Sequence, residues 1–267
     1  MLSTVLLLLA AVARSGDGVP IHYTVLGKGE PALVFVHCWN CDRRFWDAQM
    51  AFFSRNHEVV AVDLAGHGES GTNRERWTIE AFGDDVRAVA DKLALKKIVL
   101  VGSSMGAQVC LEAARRLGSR VVGIVPVDSL HNFEYRMPPG EIKSAIVRMQ
   151  GDYRAETSKF ITRNLFSTST PPAVRKRVLA RATSAPAGPS LAILHESMAY
   201  DPLPALAEIR APIRAINSDK FPTNLEVNRR HAPGFDALIM KGLGHYPMLE
   251  DPARFNKLLA ETLREFR

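Results

Sequence analysis

Four short apolar runs, Ala32–His37, Glu58–Asp63, Lys97–Val101 and Val121–Val127, constrain this chain more than any other feature. Val, Ile and Leu fill them almost without interruption, so each reads as a strand that must be covered on both faces, as in the interior of a parallel sheet. The segments between them carry helical spacing. Arg44–Ser54 and Gln108–Leu117 are predicted helices, and Thr78–Leu93 places Ile79, Phe82, Val86, Val89, Ala90 and Leu93 on one face. An earlier strand is predicted at Ile21–Leu26, later ones at Pro212–Asn217 and Ala237–Lys241, and a closing helix at Pro252–Arg267. Strand and helix in repeated alternation predict an α/β fold with a doubly wound, mostly parallel sheet.

From Met137 to Tyr200 the strand pattern lapses, and amphipathic helical stretches broken by Pro138-Pro139, Pro171-Pro172 and Pro186 to Pro189 take its place. Residues 137–200 are therefore expected to form a helical lid inserted into a core made of residues 18–136 and 201–267. Tyr153, Phe160, Phe166, Leu191, Leu194, Met198 and Tyr200 can line an apolar pocket beneath it or pack it onto the body. With 46% apolar residues the chain can bury a core without a disulfide framework. Its net charge of +6 is spread along the chain rather than gathered into a basic patch, so nucleic acid is not an expected partner.

Cys38, Cys41 and Cys110 make neither a zinc pattern nor an even set of bridges. Cys38 and Cys41 have the C-x-x-C spacing of a redox pair, but their turn has another role, given below, and redox chemistry is not expected. Residues 1–17 are read as a signal peptide or an apolar N-terminal extension. Met1–Ala13 is almost wholly apolar and ends in Ala11-Val12-Ala13, which suits signal peptidase, although no Lys or Arg precedes the run. A periplasmic or secreted location is expected, with a cytoplasmic one as the alternative. The run is too short for a stable membrane span.

The chemistry centres on Gly102-Ser103-Ser104-Met105-Gly106, a G-x-S-x-G set directly between a strand and a helix. There the chain must turn sharply, presenting Ser104 at the strand tip beside the N–H groups of the helix start. A serine hydroxyl needs a base to become a nucleophile. Of the eight histidines, His245 is the best candidate, because it follows the last strand in the flexible loop Gly242-Leu243-Gly244-His245. His37 and His67, in strand-end and Gly-rich loops, read as structural or pocket-lining.

Val36-His37-Cys38-Trp39, Asp63-Leu64-Ala65-Gly66-His67-Gly68-Glu69-Ser70, the Ser104 turn, and Gly244-His245 with Glu250-Asp251-Pro252 together resemble the α/β-hydrolase superfamily, from about residue 18 to the C-terminus. The resemblance implies an oxyanion hole made by the backbone N–H groups of Trp39 and Met105. It also implies that His37 and Cys38 border the substrate pocket, with Cys38 standing where the family usually has glycine. The triad acid is expected at Asp128, after the sixth strand, with Asp219, after the seventh, as the alternative. The expected activity is cleavage of a small, moderately hydrophobic ester or lactone through an acyl-enzyme, with no metal or organic cofactor. Carbon–carbon bond hydrolysis or perhydrolysis uses a similar constellation, and a ligand receptor of the same fold with little turnover is the competing reading.

Overall fold

Residues 10–266 are described by a computed structural model. Its strands are β1 (Ala10–Arg14), β2 (Pro20–Leu26), β3 (Ala32–Val36), β4 (Val59–Val62), β5 (Ile98–Ser103), β6 (Val121–Val127), β7 (Arg214–Ser218) and β8 (Asp236–Met240). They form one sheet in the order β1-β2-β4-β3-β5-β6-β7-β8. β2 runs antiparallel to both of its neighbours, and every pairing from β4 to β8 is parallel. The mostly parallel sheet expected from the apolar runs is therefore present.

β3, β4 and β5 are buried at every residue, as uninterrupted apolar strands require. Alternation along β3 divides the core. Leu33 and Phe35 face one layer with Trp46, Met50 and Phe255, while Val34 and Val36 face the other with Phe82, Val86 and Leu111. The first layer is covered by α1 (Asp47–Phe53) and the closing helix Pro252–Leu263, the second by α2 (Ile79–Lys92) and α3 (Met105–Leu117). Each large side chain fully buried there contributes about 1.5–3 kcal/mol. Thr78 caps α2, its hydroxyl accepting from Ala81 N at 3.2 Å.

The sheet begins earlier than residue 18. β1 pairs with β2 in the register Ala10↔Thr24 to Arg14↔Pro20, and the Ala13 side chain is buried. An apolar run can satisfy its backbone along an antiparallel neighbour as readily as it can serve as a leader, and the pattern of side chains does not separate the two. Cleavage after Ala13 would remove nearly all of β1. Residues 1–9, most of the expected signal peptide, lie outside the described residues.

Between β6 and β7 the chain forms α4 (Pro139–Gly151), α5 (Tyr153–Asn164), α6 (Pro172–Thr183) and α7 (Ala187–Ala199), the helical insertion expected over 137–200. Two short helices that carry little periodicity follow, α8 (Leu203–Glu208) and α9 (Leu225–His231). No helix among the described residues is long and apolar enough to cross a membrane.

Candidate active site

Ser104 lies between β5 and α3 with φ 54° and ψ −119°, a conformation that costs a non-glycine residue energy and persists only when its surroundings enforce it. The enforcement comes from both sides. Ser104 N donates to Val127 O at 3.0 Å, and Ser129 Oγ donates to Ser104 O at 3.0 Å. A Cβ on Gly106 would stand 2.5 Å from Val36 O and 2.6 Å from His37 O, so only glycine lets α3 pass this close to the end of β3. Ser104 is half-buried.

Asp128, one residue past β6, sits beside this turn because β5 and β6 are adjacent parallel strands. It too has positive φ, at 45°. Its Oδ1 accepts from Ser218 N and Ser218 Oγ, each at 2.7 Å, and its Oδ2 lies 2.5 Å from His245 Nδ1. Burial on its own would raise this carboxyl, but the imidazoles of His131 and His245 beside it outweigh burial and hold it well below the usual carboxylate range. Asp128 is thus ionised and can only accept in this contact. Asp219, the alternative acid, is exposed and accepts from Gly242 N at 2.8 Å, capping the turn after β8. It does not meet His245.

The N–H groups of Trp39 and Met105 donate to no other protein group among the described residues. Met105 is the first residue of α3, where a helix leaves its N–H groups unpaired. His37 and Cys38 differ from expectation. His37 is fully buried, with Nδ1 2.8 Å from Cys38 O and Nε2 accepting from Leu64 N at 3.1 Å, so both nitrogens are used within the fold. Desolvation lowers its pKa to about 4, and His67, packed 4.8 Å away ring to ring, is lowered by the same cause to about 3. Both are neutral braces. Cys38 is bonded to Cys41 in a disulfide and is likewise buried, so both side chains are engaged within the fold.

The lid is fastened to this site. Trp39 Nε1 donates to Ser190 O on α7 at 2.8 Å, the Asn40 amide contacts Tyr153 Oη at 2.5 Å and Ala182 O at 3.2 Å, and Arg181 Nε reaches Asp42 Oδ2 at 2.8 Å. On the other side His245 N donates to Leu165 O at 2.8 Å. Of the lid side chains expected to line a pocket, Phe160 and Met198 border a cavity of about 690 Å³, together with Met137, Met149, Arg148 and Arg163. The Phe160 ring also packs edge-on against Trp39, 6.4 Å between centroids. Phe166, Leu191 and Leu194 are buried in the core, and Tyr200 Oη donates to Glu112 Oε1 at 2.9 Å.

In the comparison with known proteins, a model of the alpha/beta hydrolase family covers residues 33–258. The chain belongs to that family. AB hydrolase superfamily protein YisY of Bacillus subtilis is 24% identical over 265 residues, 93% of this chain and 97% of its own length. The bifunctional esterase/perhydrolase DCH of Acinetobacter calcoaceticus is 39% identical over 92 residues, 34% of this chain and 33% of that protein, so this likeness covers about a third of each. Among solved structures, Est816, described as an N-acyl homoserine lactone degrading enzyme, superposes with a TM-score of 0.81 at 25% identity, over 94% of this chain and 99% of that one.

The contacts of two further residues of this alpha/beta hydrolase are settled only in three dimensions. Glu250 clasps the backbone on both sides of His245: its Oε2 accepts from Gly244 N and Thr170 Oγ1, each at 2.9 Å, and its Oε1 from Tyr246 N at 3.1 Å. A Cβ on Gly244 would approach Glu250 Oε1 and Thr170 Oγ1 to 2.8 Å, which requires glycine before the histidine. His131 Nε2 stands 3.7 Å from Asp128 Oδ1, too far for a hydrogen bond but close enough to support the carboxylate charge. The Glu250 motif was visible in the sequence, whereas nothing there distinguished His131.

Proposed function

We propose that the chain is a serine hydrolase that cleaves carboxylic esters or lactones of small, moderately hydrophobic molecules. The observation that carries this reading is the 2.5 Å contact between His245 Nδ1 and the buried Asp128, built beside a serine held at positive φ. In the reaction, His245 Nε2 takes the Ser104 hydroxyl proton as the oxygen attacks the substrate carbonyl carbon. Asp128 fixes the tautomer of His245 and stabilises its positive charge. The tetrahedral oxyanion accepts hydrogen bonds from the Trp39 and Met105 N–H groups, an arrangement in which each donor can supply several kcal/mol. As the C–O bond breaks, His245 returns the proton to the leaving alkoxide, giving an alcohol and an acyl-Ser104 ester. Water then attacks this ester, with His245 again as base, and the carboxylic acid leaves.

The Phe160 ring against Trp39 supports an apolar group on the substrate beside that oxyanion donor. The esterase and lactone-degrading activities named for the relatives agree with this reading. The test compares wild type with Ser104→Ala on p-nitrophenyl esters of graded chain length and on lactones, with fluorophosphonate labelling in parallel. Turnover and labelling should both disappear in Ser104→Ala while the circular dichroism spectrum is kept. Labelling at another residue, or no turnover of any ester or lactone by folded wild type, would overturn it.

A further inference from the structure

Cys38 and Cys41 close a four-residue turn. Their Cα atoms are 5.3 Å apart, Cys41 N donates to Cys38 O at 3.1 Å, and the two residues between them are Trp39 and Asn40. Asn40 has φ of 55°, in the left-handed region. Asparagine enters this region more readily than other non-glycine residues, and here its amide is also held by Tyr153 Oη and Ala182 O. The side chains within this turn are also the attachment points of the lid, Trp39 to α7 and Asn40 to α5 and α6. The remaining restraints lie at its ends, where His37 braces Leu64 N and Arg43 N donates to Asp63 Oδ1 at 2.7 Å. Only the sulfur bridge spans the turn itself through side chains.

From this arrangement we infer that the Cys38–Cys41 disulfide is a positioning element for the oxyanion donor of Trp39, and that its reduction by a dithiol slows the chemical step. The inference rests on the serine hydrolase reading above. Reduction transfers two electrons and two protons: both thiols of dithiothreitol lose hydrogen to form its cyclic disulfide, the S–S bond breaks, and Cys38 and Cys41 become thiols. With the bridge open, Asn40 can leave positive φ and the Trp39 N–H can move off the oxyanion position. A donor displaced by about 1 Å loses on the order of a hundredfold in rate, because such hydrogen bonds act only when aimed at the developing charge. Ground-state binding of a small ester depends far less on this contact.

The experiment compares oxidised enzyme, enzyme treated with dithiothreitol, and a Cys38→Ala/Cys41→Ala variant on p-nitrophenyl acetate. Because Cys110 is the single free cysteine in the oxidised form, full reduction is verified by a rise in alkylated cysteines from one to three. The expected result is a 10- to 100-fold fall in kcat with KM changed less than about threefold, in both the reduced enzyme and the variant. Inhibition by phenylboronic acid, whose serine adduct places an oxygen at the oxyanion position, should weaken by the same factor. Reoxidation should restore wild-type rates, and the variant should ignore dithiothreitol. The inference is overturned if kcat stays within twofold, if kcat falls but boronate inhibition does not, or if the variant unfolds, which would assign the bridge to folding. Should the native bridge resist dithiothreitol, the variant decides alone. Absence of ester turnover in the oxidised enzyme would instead overturn the hydrolase reading.

Discussion

Replacing Asp128 by Asn changes one atom of the carboxylate, and the surroundings dictate which way the amide faces. Oδ1 accepts from the backbone N–H and the hydroxyl of Ser218, each at 2.7 Å, and a backbone N–H cannot reverse its role. The amide carbonyl must stay there, so the NH2 group points at His245 Nδ1. To meet a donor, His245 has to present a lone pair at Nδ1 and carry its proton on Nε2, the tautomer that cannot take the Ser104 proton. In a serine triad this exchange costs roughly 10⁴-fold in kcat. For Asp128→Asn a fall of about 10³- to 10⁴-fold is expected, equivalent to ~4–5.5 kcal/mol at 1.36 kcal/mol per decade. Steady-state hydrolysis of p-nitrophenyl acetate measures it, with KM moving little. Asp219→Asn is the control, expected to stay within about threefold because that carboxylate is exposed and serves Gly242. A loss below tenfold in Asp128→Asn, or a larger loss in Asp219→Asn, would refute the reasoning.

Two further outcomes follow from the same geometry. Glu250→Ala leaves the N–H groups of Gly244 and Tyr246 without their acceptor, and a fall of about 2 kcal/mol in unfolding free energy is expected, together with a lower kcat as the His245 backbone loosens. Unchanged urea unfolding and kcat would show that the clasp is dispensable. For pH, His67 has a folded pKa near 3, below the unfolded value near 6.5, so the unfolded chain binds the extra proton: stability is full above about pH 6.5 and declines as pH falls toward 3. At pH 5 this loss is roughly 2 kcal/mol, and His37, with a folded pKa near 4, adds a similar amount. Urea unfolding of His67→Gln at pH 7 and pH 5 should show about half of the wild-type decline, and an equal decline in both proteins would sink the assignment.

Much of the fold was legible in the sequence because it is written in local terms. Runs such as Ala32–Val36 are short and apolar at consecutive positions, as a strand covered on both faces requires, and Gly102 to Gly106 bound a strand-to-helix turn by their spacing alone. Ser104 and His245 could be proposed from such signals. In the sequence, Asp128 is favoured over Asp219 only by its spacing from Ser104, because both follow strands of the same sheet and each has the chemistry to hold an imidazole. The tertiary structure separates them by location: Asp128 lies next to the Ser104 turn, buried against Ser218 and His245, and Asp219 opens to solvent one strand further out.

The same contrast accounts for β1 and for the two cysteines. Ala10–Arg14 has no pattern that distinguishes a leader from an edge strand, and its strand state depends on β2, ten residues and a reversed direction away. Cys38 and Cys41 are spaced for a bridge, but closing it requires a turn with Asn40 at positive φ and Cα atoms brought to 5.3 Å. By itself the sequence determined the sheet, the Ser104 turn and the choice of His245 as the candidate base, since these rest on periodicity, glycine placement and chain order. Only the tertiary structure decided which carboxylate meets His245, where the sheet begins and how the Trp39 turn is closed, because each depends on groups distant in the chain, or on backbone angles, that no local preference specifies.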